Sequence, residues 1–505
     1  MEVDLKKNIV PTEADFLPIL LNLIERLAEK KVSYCHWKSN YHLNYALAGI
    51  EDWDVLISTE DFHIFTSIIT AVGFKPALTS NDAGQFGIYH FYGLDIATGK
   101  LVHIHAYSRV LSGDSLVKSY CLPVEKMLLD NLRFDDFMPV PCKEADLLVF
   151  LIRNALKGLS PIDMYMQRND SDQMLEELVW LSEGLDKRKF ECLQLDYFPE
   201  MSSKILFVFL DYIRAQKYSI GRYYTAWKIS SSLKRYRRMS EFSTQFLTVK
   251  ILLPLVFRKF IWKTKYMRFQ NGGKIIVLVG PQAVGKSTVA MALTSWIGQE
   301  FEVSSIHVGK PPATILTSPV RIILPMLRKM LPSQRSTEIE KKLENNSNKS
   351  ASVSFLHIIR KLVLAYERKK VLQFIFRSAA RGSIMVCDRY PSQKVGAVDG
   401  ASFDNTLIKS QRSSLKRFLM RCESRIYESV NSPDLILSLT VDVDEAVRRA
   451  EIRDKVGPRD PDYVKFRHNM KAQPEFSHGK VVSINTGVSL AETIKLVKQE
   501  FWTVM

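Results

Sequence analysis

Lys274-Ile275-Ile276-Val277-Leu278-Val279-Gly280-Pro281-Gln282-Ala283-Val284-Gly285-Lys286-Ser287-Thr288, continued by Val289-Ala290-Met291-Ala292-Leu293, decides the fold of the C-terminal half of the chain. The opening apolar run reads as a strand buried on both faces of a parallel sheet. The run after Thr288 starts a helix. Between them stands G-x-x-x-x-G-K-[ST], in the strand–loop–helix setting that its physics requires. Gly280 and Gly285 let the backbone curl until successive N–H groups point inward at phosphate oxygens, and the helix adds its positive end. Residues Gly280, Pro281, Gln282, Ala283, Val284, Gly285, Lys286, Ser287 and Thr288 are therefore the expected phosphate cradle. In it Lys286 bridges terminal phosphates and Ser287 supplies a hydroxyl ligand to Mg²⁺. The ligand implied is a nucleoside triphosphate, ATP or GTP.

Working outward, further strands are expected at Val303–Val308, Ser383–Cys387, Leu435–Thr440 and Val481–Ile484, in a doubly wound parallel sheet whose ligands bind beyond the C-terminal strand ends. The strand from Ser383 runs into Asp388-Arg389-Tyr390-Pro391. Asp388 is expected to organise the Mg²⁺ hydration shell, and Arg389 to hold a second phosphoryl group. Farther on, Arg449 and Arg453 are four apart and share a helix face. Cations on one mobile face suit a lid that closes over a transferring phosphoryl group; the rival is a merely solvated basic helix. The polar stretch Pro332–Ser354 reads as a loop or frayed helix end.

These motifs together, GPQAVGKST, a strand ending in DRY, then PDLILSLTVDVDEAVRRAEIRDK, resemble the thymidylate kinase family of nucleoside-monophosphate kinases over about residues 272 to 505. The resemblance implies ATP–Mg²⁺ on the loop, an acceptor phosphate near Arg389, Arg449 and Arg453 in the lid, and Ile484-Asn485-Thr486 beside the adenine. Tyr366-Glu367-Arg368 offers Arg368 as a further acceptor-site cation. Three departures stand out. Gln282-Ala283 occupies positions where relatives carry an acid and Gly. His307-Val308-Gly309-Lys310-Pro311-Pro312 replaces the REPGG-type segment. The residues that seat thymine are not recognisable in PSQKVGAVDGASFDN, which follows DRY. The expected activity is thus an ATP-dependent phosphotransferase, and its acceptor is a nucleoside monophosphate or another small phosphorylated or hydroxyl-bearing compound.

Near the other end, Lys38-Ser39-Asn40 and then Asp52-Trp53-Asp54-Val55 resemble the pattern of nucleotidyltransferase-fold proteins. In a strand Asp52 and Asp54 point to one face, so two carboxylates can hold Mg²⁺ for an incoming triphosphate. The turn at Ser39 would touch its phosphates, although it lacks the usual glycine. The strand expected to bring a third carboxylate reads Leu101-Val102-His103-Ile104-His105-Ala106 instead. Its two histidines share a face, and either bind a metal with the aspartates or form a structural alternation. Asp95 sits on a neighbouring strand with no assigned place. A helix is expected over Glu13–Lys31, a strand over Trp53–Ser58, and a strand pair at Gly87–Ile96 and Leu101–Ala106.

At 505 residues, 46% hydrophobic and 25% charged, the chain has apolar mass for about two or three domains. The expected division is an α+β nucleotidyltransferase-like domain at 1–142, a helical connector at 143–271, and the α/β domain with its phosphate loop at 272–505. Connector helices are expected at Ala145–Leu156, Asp172–Leu185 and Ser203–Gln216. The six cysteines show no C-x-x-C pair or zinc spacing, which points to buried thiols in a reducing cytoplasm. No signal peptide is recognisable and no apolar run of about 18 residues offers a membrane span. The net charge of +16 is concentrated between Trp227 and Phe269, where eleven Lys or Arg face the single acid Glu241. That basic segment reads as a solvated connector, with weak contact to a membrane surface or to nucleic acid as the alternatives. Two rival functions follow: nucleotidyl transfer by the N-terminal domain with an accessory phosphate-loop domain, and a nucleotide-gated binding module. The oligomeric state is open.

Overall fold

The computed structural model describes the chain except residues 1–9, 80–85, 115–116, 136, 262–266, 310, 315–316, 324–352, 393, 396–398, 453–463, 466–467, 469–475 and 477–478, and gives only the backbone course of 161–162 and 252–261. Arg453, and all of the polar stretch up to residue 352, lie outside the described residues. The chain divides into two compact units, Met1–Thr264 and Lys265–Met505.

In the first unit, β1 (Tyr34–His36), β2 (Trp53–Ile57), β3 (Lys75–Thr79), β4 (Ile88–Leu94) and β5 (Leu101–Tyr107) lie in the order β1-β2-β5-β4-β3. β2 and β5 run parallel, and the other neighbours antiparallel; two further antiparallel pairs follow, β6 (Val110–Ser112) with β7 (Tyr120–Leu122) and β8 (Leu132–Asp135) with β9 (Met138–Pro141). The N-terminal helix is shorter than its periodicity suggests. A 3-10 turn at Glu13–Asp15 precedes α1 (Pro18–Glu29), which starts on proline. Proline suits a first helical position because its missing N–H is unpaired there anyway. Leu20, Leu23, Ile24 and Leu27 of α1 bury their common face in the same core as Phe65, Ile68 and Ile69 of the helix Phe62–Val72.

Asp95 has a structural role. Its carboxylate accepts from Thr98 N at 2.8 Å, Thr98 Oγ1 at 2.7 Å and Ile19 N at 3.2 Å. It holds the β4–β5 turn against the start of α1.

From Lys143 to Ile261 the unit is helical, as the pattern of the connector indicates. The helix Lys143–Lys157 is its hub: Ala145 and the run from Leu147 to Ile152 are all buried. A helix apolar all round has to be enclosed. The helices Ser171–Ser182, Lys187–Tyr197, Ser203–Arg214 and Ile220–Ser232 pack against it. Some cations of the basic segment are satisfied internally. Arg237 pairs with Glu241 at 2.6 Å and donates to the Tyr120 hydroxyl at 2.7 Å, and Arg235 pairs with Glu200 at 3.1 Å. Among the described residues no helix is long and apolar enough to cross a membrane.

The second unit opens with a short strand β10 (Met267–Phe269) and then builds an all-parallel sheet. Its strands are β11 (Ile275–Val279), β12 (Val303–His307), β13 (Ile384–Asp388), β14 (Leu435–Thr440) and β15 (Lys480–Asn485), in the order β12-β13-β11-β14-β15. β11 is buried throughout, as its apolar run requires. Its two neighbours are reached by connections to opposite sides, so the crevice beyond its C-terminal end is the topological switch point at which such sheets bind ligands.

Candidate functional site

The loop after β11 enters that crevice. Gly280 (φ 140°), Ala283 (φ 64°) and Gly285 (φ 88°) all have positive φ before the helix Lys286–Ile297 begins. A Cβ on Gly280 would stand 2.4 Å from the Leu439 carbonyl oxygen, so only glycine fits beside β14. Ala283 is one of the departures noted above, and it occupies the left-handed region that glycine favours. Its methyl packs against Ala446, Ala450 and Val464, a contact glycine lacks. Lys286 is buried, and its Nζ donates to the carbonyls of Gly280 at 3.0 Å and Pro281 at 2.5 Å. Ser287 and Thr288 are exposed at the mouth.

Ser287 Oγ donates to Asp388 Oδ2 at 2.8 Å. Asp388 ends β13 in register with Leu278 of β11 and His307 of β12, which puts its carboxylate beside the loop. Its second oxygen, Oδ1, is buried and accepts no hydrogen bond from the described residues.

Arg389 leaves the strand at φ 74°. A non-glycine residue held there stores about 1–3 kcal/mol of strain, commonly at a site. Its side chain lies over Gly309, where a Cβ would come within 2.4 Å of its Cδ, and its Nη1 donates to Asp399 Oδ2 at 3.2 Å. Asp399 also takes Arg368: Nη2 donates to Oδ1 and Nη1 to the Asp399 carbonyl at 3.1 Å, while Tyr427 Oη accepts from Nη1 at 2.8 Å. One carboxylate therefore orients two guanidinium groups beyond the C-terminal ends of β12 and β13. One residue earlier, the buried Glu367 binds Arg321 and accepts from Thr317 Oγ1 at 2.5 Å.

Arg449 lies on the helix Val443–Glu451, and its guanidinium is engaged on both sides. Nε donates to Glu445 at 2.7 Å and Nη2 to the Thr486 carbonyl at 2.8 Å. Thr486 Oγ1 donates in turn to the Val284 carbonyl at 3.1 Å. The helix and the turn after β15 are thus tied to the phosphate loop, as is His468, whose Nε2 donates to the Gln282 carbonyl at 2.8 Å.

A second constellation occupies the sheet of the first unit. Asp52 and Asp54 face the same side. Lys38 Nζ pairs with Asp54 Oδ1 at 2.7 Å. Burial pushes the Asp54 carboxyl up, but Lys38 and His105 outweigh it and hold the group well below the usual carboxylate range. Asp52 is also held down: burial opposes, and the hydrogen bond and charge of His103 prevail. Ser39 has φ 51°, so the turn adopts a left-handed conformation without a glycine. A cavity of about 400 Å³ is lined by Lys38, Ser39, Asp52 and Asp54, and a second of about 280 Å³ shares Ser39 and carries Arg153 and Lys157.

No protein-family model and no curated protein matches the chain. The solved structures similar to it include two thymidylate kinases. Thymidylate kinase from Candida albicans aligns with 46% of this chain and 91% of its own, at 17% identity and a TM-score of 0.25. Thymidylate kinase from Ehrlichia chaffeensis aligns with 46% of this chain and 98% of its own, at 16% identity and a TM-score of 0.23.

The structure brings Lys286, Ser287, Asp388 and Arg389 together through the contacts above, adds Arg368 by way of Asp399, and holds Arg449 against Glu445 and Thr486. Asp399 and Tyr427 belong to no motif, and the reading of the sequence assigns them no role; it names Glu367 only as the neighbour of Arg368. It also passes over Lys38 as the partner of Asp54, and His90, whose place opposite His105 follows only from the β4–β5 register.

Proposed function

We propose that the chain is an ATP-dependent phosphotransferase whose working site is the loop Gly280–Thr288 with Asp388, Arg389 and Arg368, taking an anionic small-molecule acceptor such as a nucleoside monophosphate. The observation that carries this reading is the Ser287–Asp388 hydrogen bond, with the second Asp388 oxygen buried and unpaired among the described residues. A hydroxyl and a carboxylate so placed beside a phosphate loop fit Mg²⁺, which prefers oxygen ligands. Mg²⁺ bound by Ser287 and Asp388 would neutralise charge on the β- and γ-phosphates. The loop N–H groups and the helix from Lys286 would bind those phosphates, and Lys286 would exchange its bonds to the Gly280 and Pro281 carbonyls for phosphate oxygens. Arg389 and Arg368, oriented by Asp399, would hold the acceptor's anionic group in line with the γ-phosphorus. The bond to the β–γ bridging oxygen breaks as the acceptor oxygen bonds phosphorus. On this reading 272–505 is the kinase domain, 143–271 its helical connector, and Arg449 and Arg453 belong to the lid.

The test is a panel of nucleoside monophosphates incubated with γ-labelled ATP, Mg²⁺ and the purified chain, beside Lys286→Ala. Transfer seen with the native protein and lost in the variant supports the proposal; no labelled product from any acceptor sinks the nucleotide-kinase version.

The cavity at Lys38, Ser39, Asp52 and Asp54 favours a second reading for 1–142, a nucleotidyltransferase-like domain. Arg153 and Lys157, in the neighbouring cavity that shares Ser39, would meet a triphosphate on this reading. It requires label transfer from α-labelled nucleotide that Asp52→Ala and Asp54→Ala each abolish.

A further inference from the structure

β4 and β5 pair antiparallel with His90 directly opposite His105 and Tyr92 opposite His103. Opposed residues, and residues two apart along a strand, share a face. His90, His103 and His105 therefore project together, and one ring nitrogen from each lies within 4.8 Å of the others. Asp54 is in register with His105 across the parallel β2–β5 pair, which brings the two aspartates to the same patch.

The carboxylates decide where the ring protons sit. His103 Nδ1 is 3.0 Å from Asp52 Oδ1, and His105 Nδ1 is 3.2 Å from Asp54 Oδ1. An ionised carboxylate only accepts, so both Nδ1 atoms carry hydrogen, and in the neutral rings both Nε2 atoms then present lone pairs. Metal-bound histidines are held in this way, with the outer N–H on a carboxylate that fixes the tautomer. His90 Nδ1 stands 3.1 Å from His103 Nε2. At that separation the two nitrogens either share one hydrogen bond or aim two lone pairs at one ion. Two nitrogen ligands on a tetrahedral Zn²⁺, each at about 2.0–2.1 Å, stand about 3.3 Å apart.

We propose that His90 Nδ1, His103 Nε2 and His105 Nε2 bind one transition-metal ion of the Zn²⁺ kind. Asp52 Oδ2, 3.8 Å from His105 Nε2, stands at the open fourth side. Three imidazoles select a borderline ion over Mg²⁺. The site is independent of the phosphate loop and chemically different from a Mg²⁺ pair held by carboxylates alone.

The experiment uses the untagged full-length chain, stripped with a chelator and titrated with Zn²⁺ and with Co²⁺ in excess Mg²⁺. The expected result is one ion per chain, with the intense visible absorption of four-coordinate Co²⁺. His90→Ala and His103→Ala should each weaken binding by at least about 10-fold. His90→Gln, which keeps a side-chain donor for His103 and so preserves the hydrogen-bonded alternative, should lose the ion while melting at the native temperature. Absence of binding to the native chain under excess Mg²⁺ overturns the assignment. So does undiminished binding in folded His90→Gln.

Discussion

Ser287 Oγ donates to Asp388 Oδ2 across 2.8 Å, joining the first turn of the helix after the phosphate loop to the last residue of β13. The other Asp388 oxygen is buried without a donor among the described residues. Such a group costs about 1–3 kcal/mol and persists where function compensates it. Asp388→Asn should therefore leave the ligand-free protein at least as stable as the native one. It should also remove the Mg²⁺-dependent part of ATP affinity, roughly 10-fold or more. Binding of a fluorescent ATP analogue with and without Mg²⁺, beside a thermal melt, reads both effects without an acceptor; an unchanged Mg²⁺ effect counts against the assignment.

The loop glycines are not equivalent. Gly280→Ala places a Cβ 2.4 Å from the rigid Leu439 carbonyl, at φ 140°. It should destabilise the second unit by roughly 1–3 kcal/mol and abolish nucleotide binding. Ala283→Gly relieves about 1 kcal/mol of left-handed strain. It also loses a methyl packed on Ala446, Ala450 and Val464, a burial of similar size. Its net change should stay within about 1 kcal/mol. Urea unfolding of both variants separates the cases, and a large loss in Ala283→Gly would refute the balance.

What could be read ahead of the structure was what is contiguous. The apolar run 274–279, the two glycines and the Lys-Ser pair act within one strand–loop–helix, so the local pattern carries the geometry. Asp388 and Arg389 follow because they end a strand of the same sheet. Asp399 was invisible as a partner: Asp399-Gly400 signals a turn, but nothing local says that Arg368 and Arg389 reach its carboxylate from a helix and a strand end. His90 was within reach. Pairing Leu94 with Leu101 across the turn carries His90 opposite His105, but a register has to be fixed before a face can be counted. The N-terminal helix failed at Pro18, which restarts the chain as a helix inside an apolar pattern that looks continuous from Glu13.

Asp399 binds two guanidinium groups, and Arg368 is almost wholly enclosed, its side chain 6% exposed. Removing the carboxylate strands a buried cation. Asp399→Ala should cost about 3–5 kcal/mol, measured by denaturant unfolding. Arg368→Lys retains charge but cannot reproduce the fork that spans the Asp399 carboxylate, its carbonyl and Tyr427. It should weaken acceptor binding more than ATP binding. Equal losses for both substrates would argue for a purely structural cluster.

Glu423 sets a pH dependence in the second unit. It is completely buried, Oε1 accepts the Ser402 N–H at 2.9 Å, and Oε2 has no partner among the described residues. Burial lifts its carboxyl to about 7, against the hydrogen bonds from Ser402 and the charges of Lys361 and Arg368. A folded-state value above the unfolded value of 4.5 means the folded protein binds the extra proton between the two. The stabilisation is then complete below about 4.5, declines as pH rises, and is lost above about 7, a change of about 3 kcal/mol at 1.36 kcal/mol per unit. Glu423→Gln keeps the acceptor for Ser402 and cannot ionise. It should match the native protein within about 1 kcal/mol at pH 5 and exceed it by up to about 3 kcal/mol at pH 8. Urea midpoints followed by tryptophan fluorescence at the two pH values give the comparison. Parallel behaviour of the two proteins at both would mean that Glu423 is ionised in the fold and that Lys361 and Arg368 hold it so.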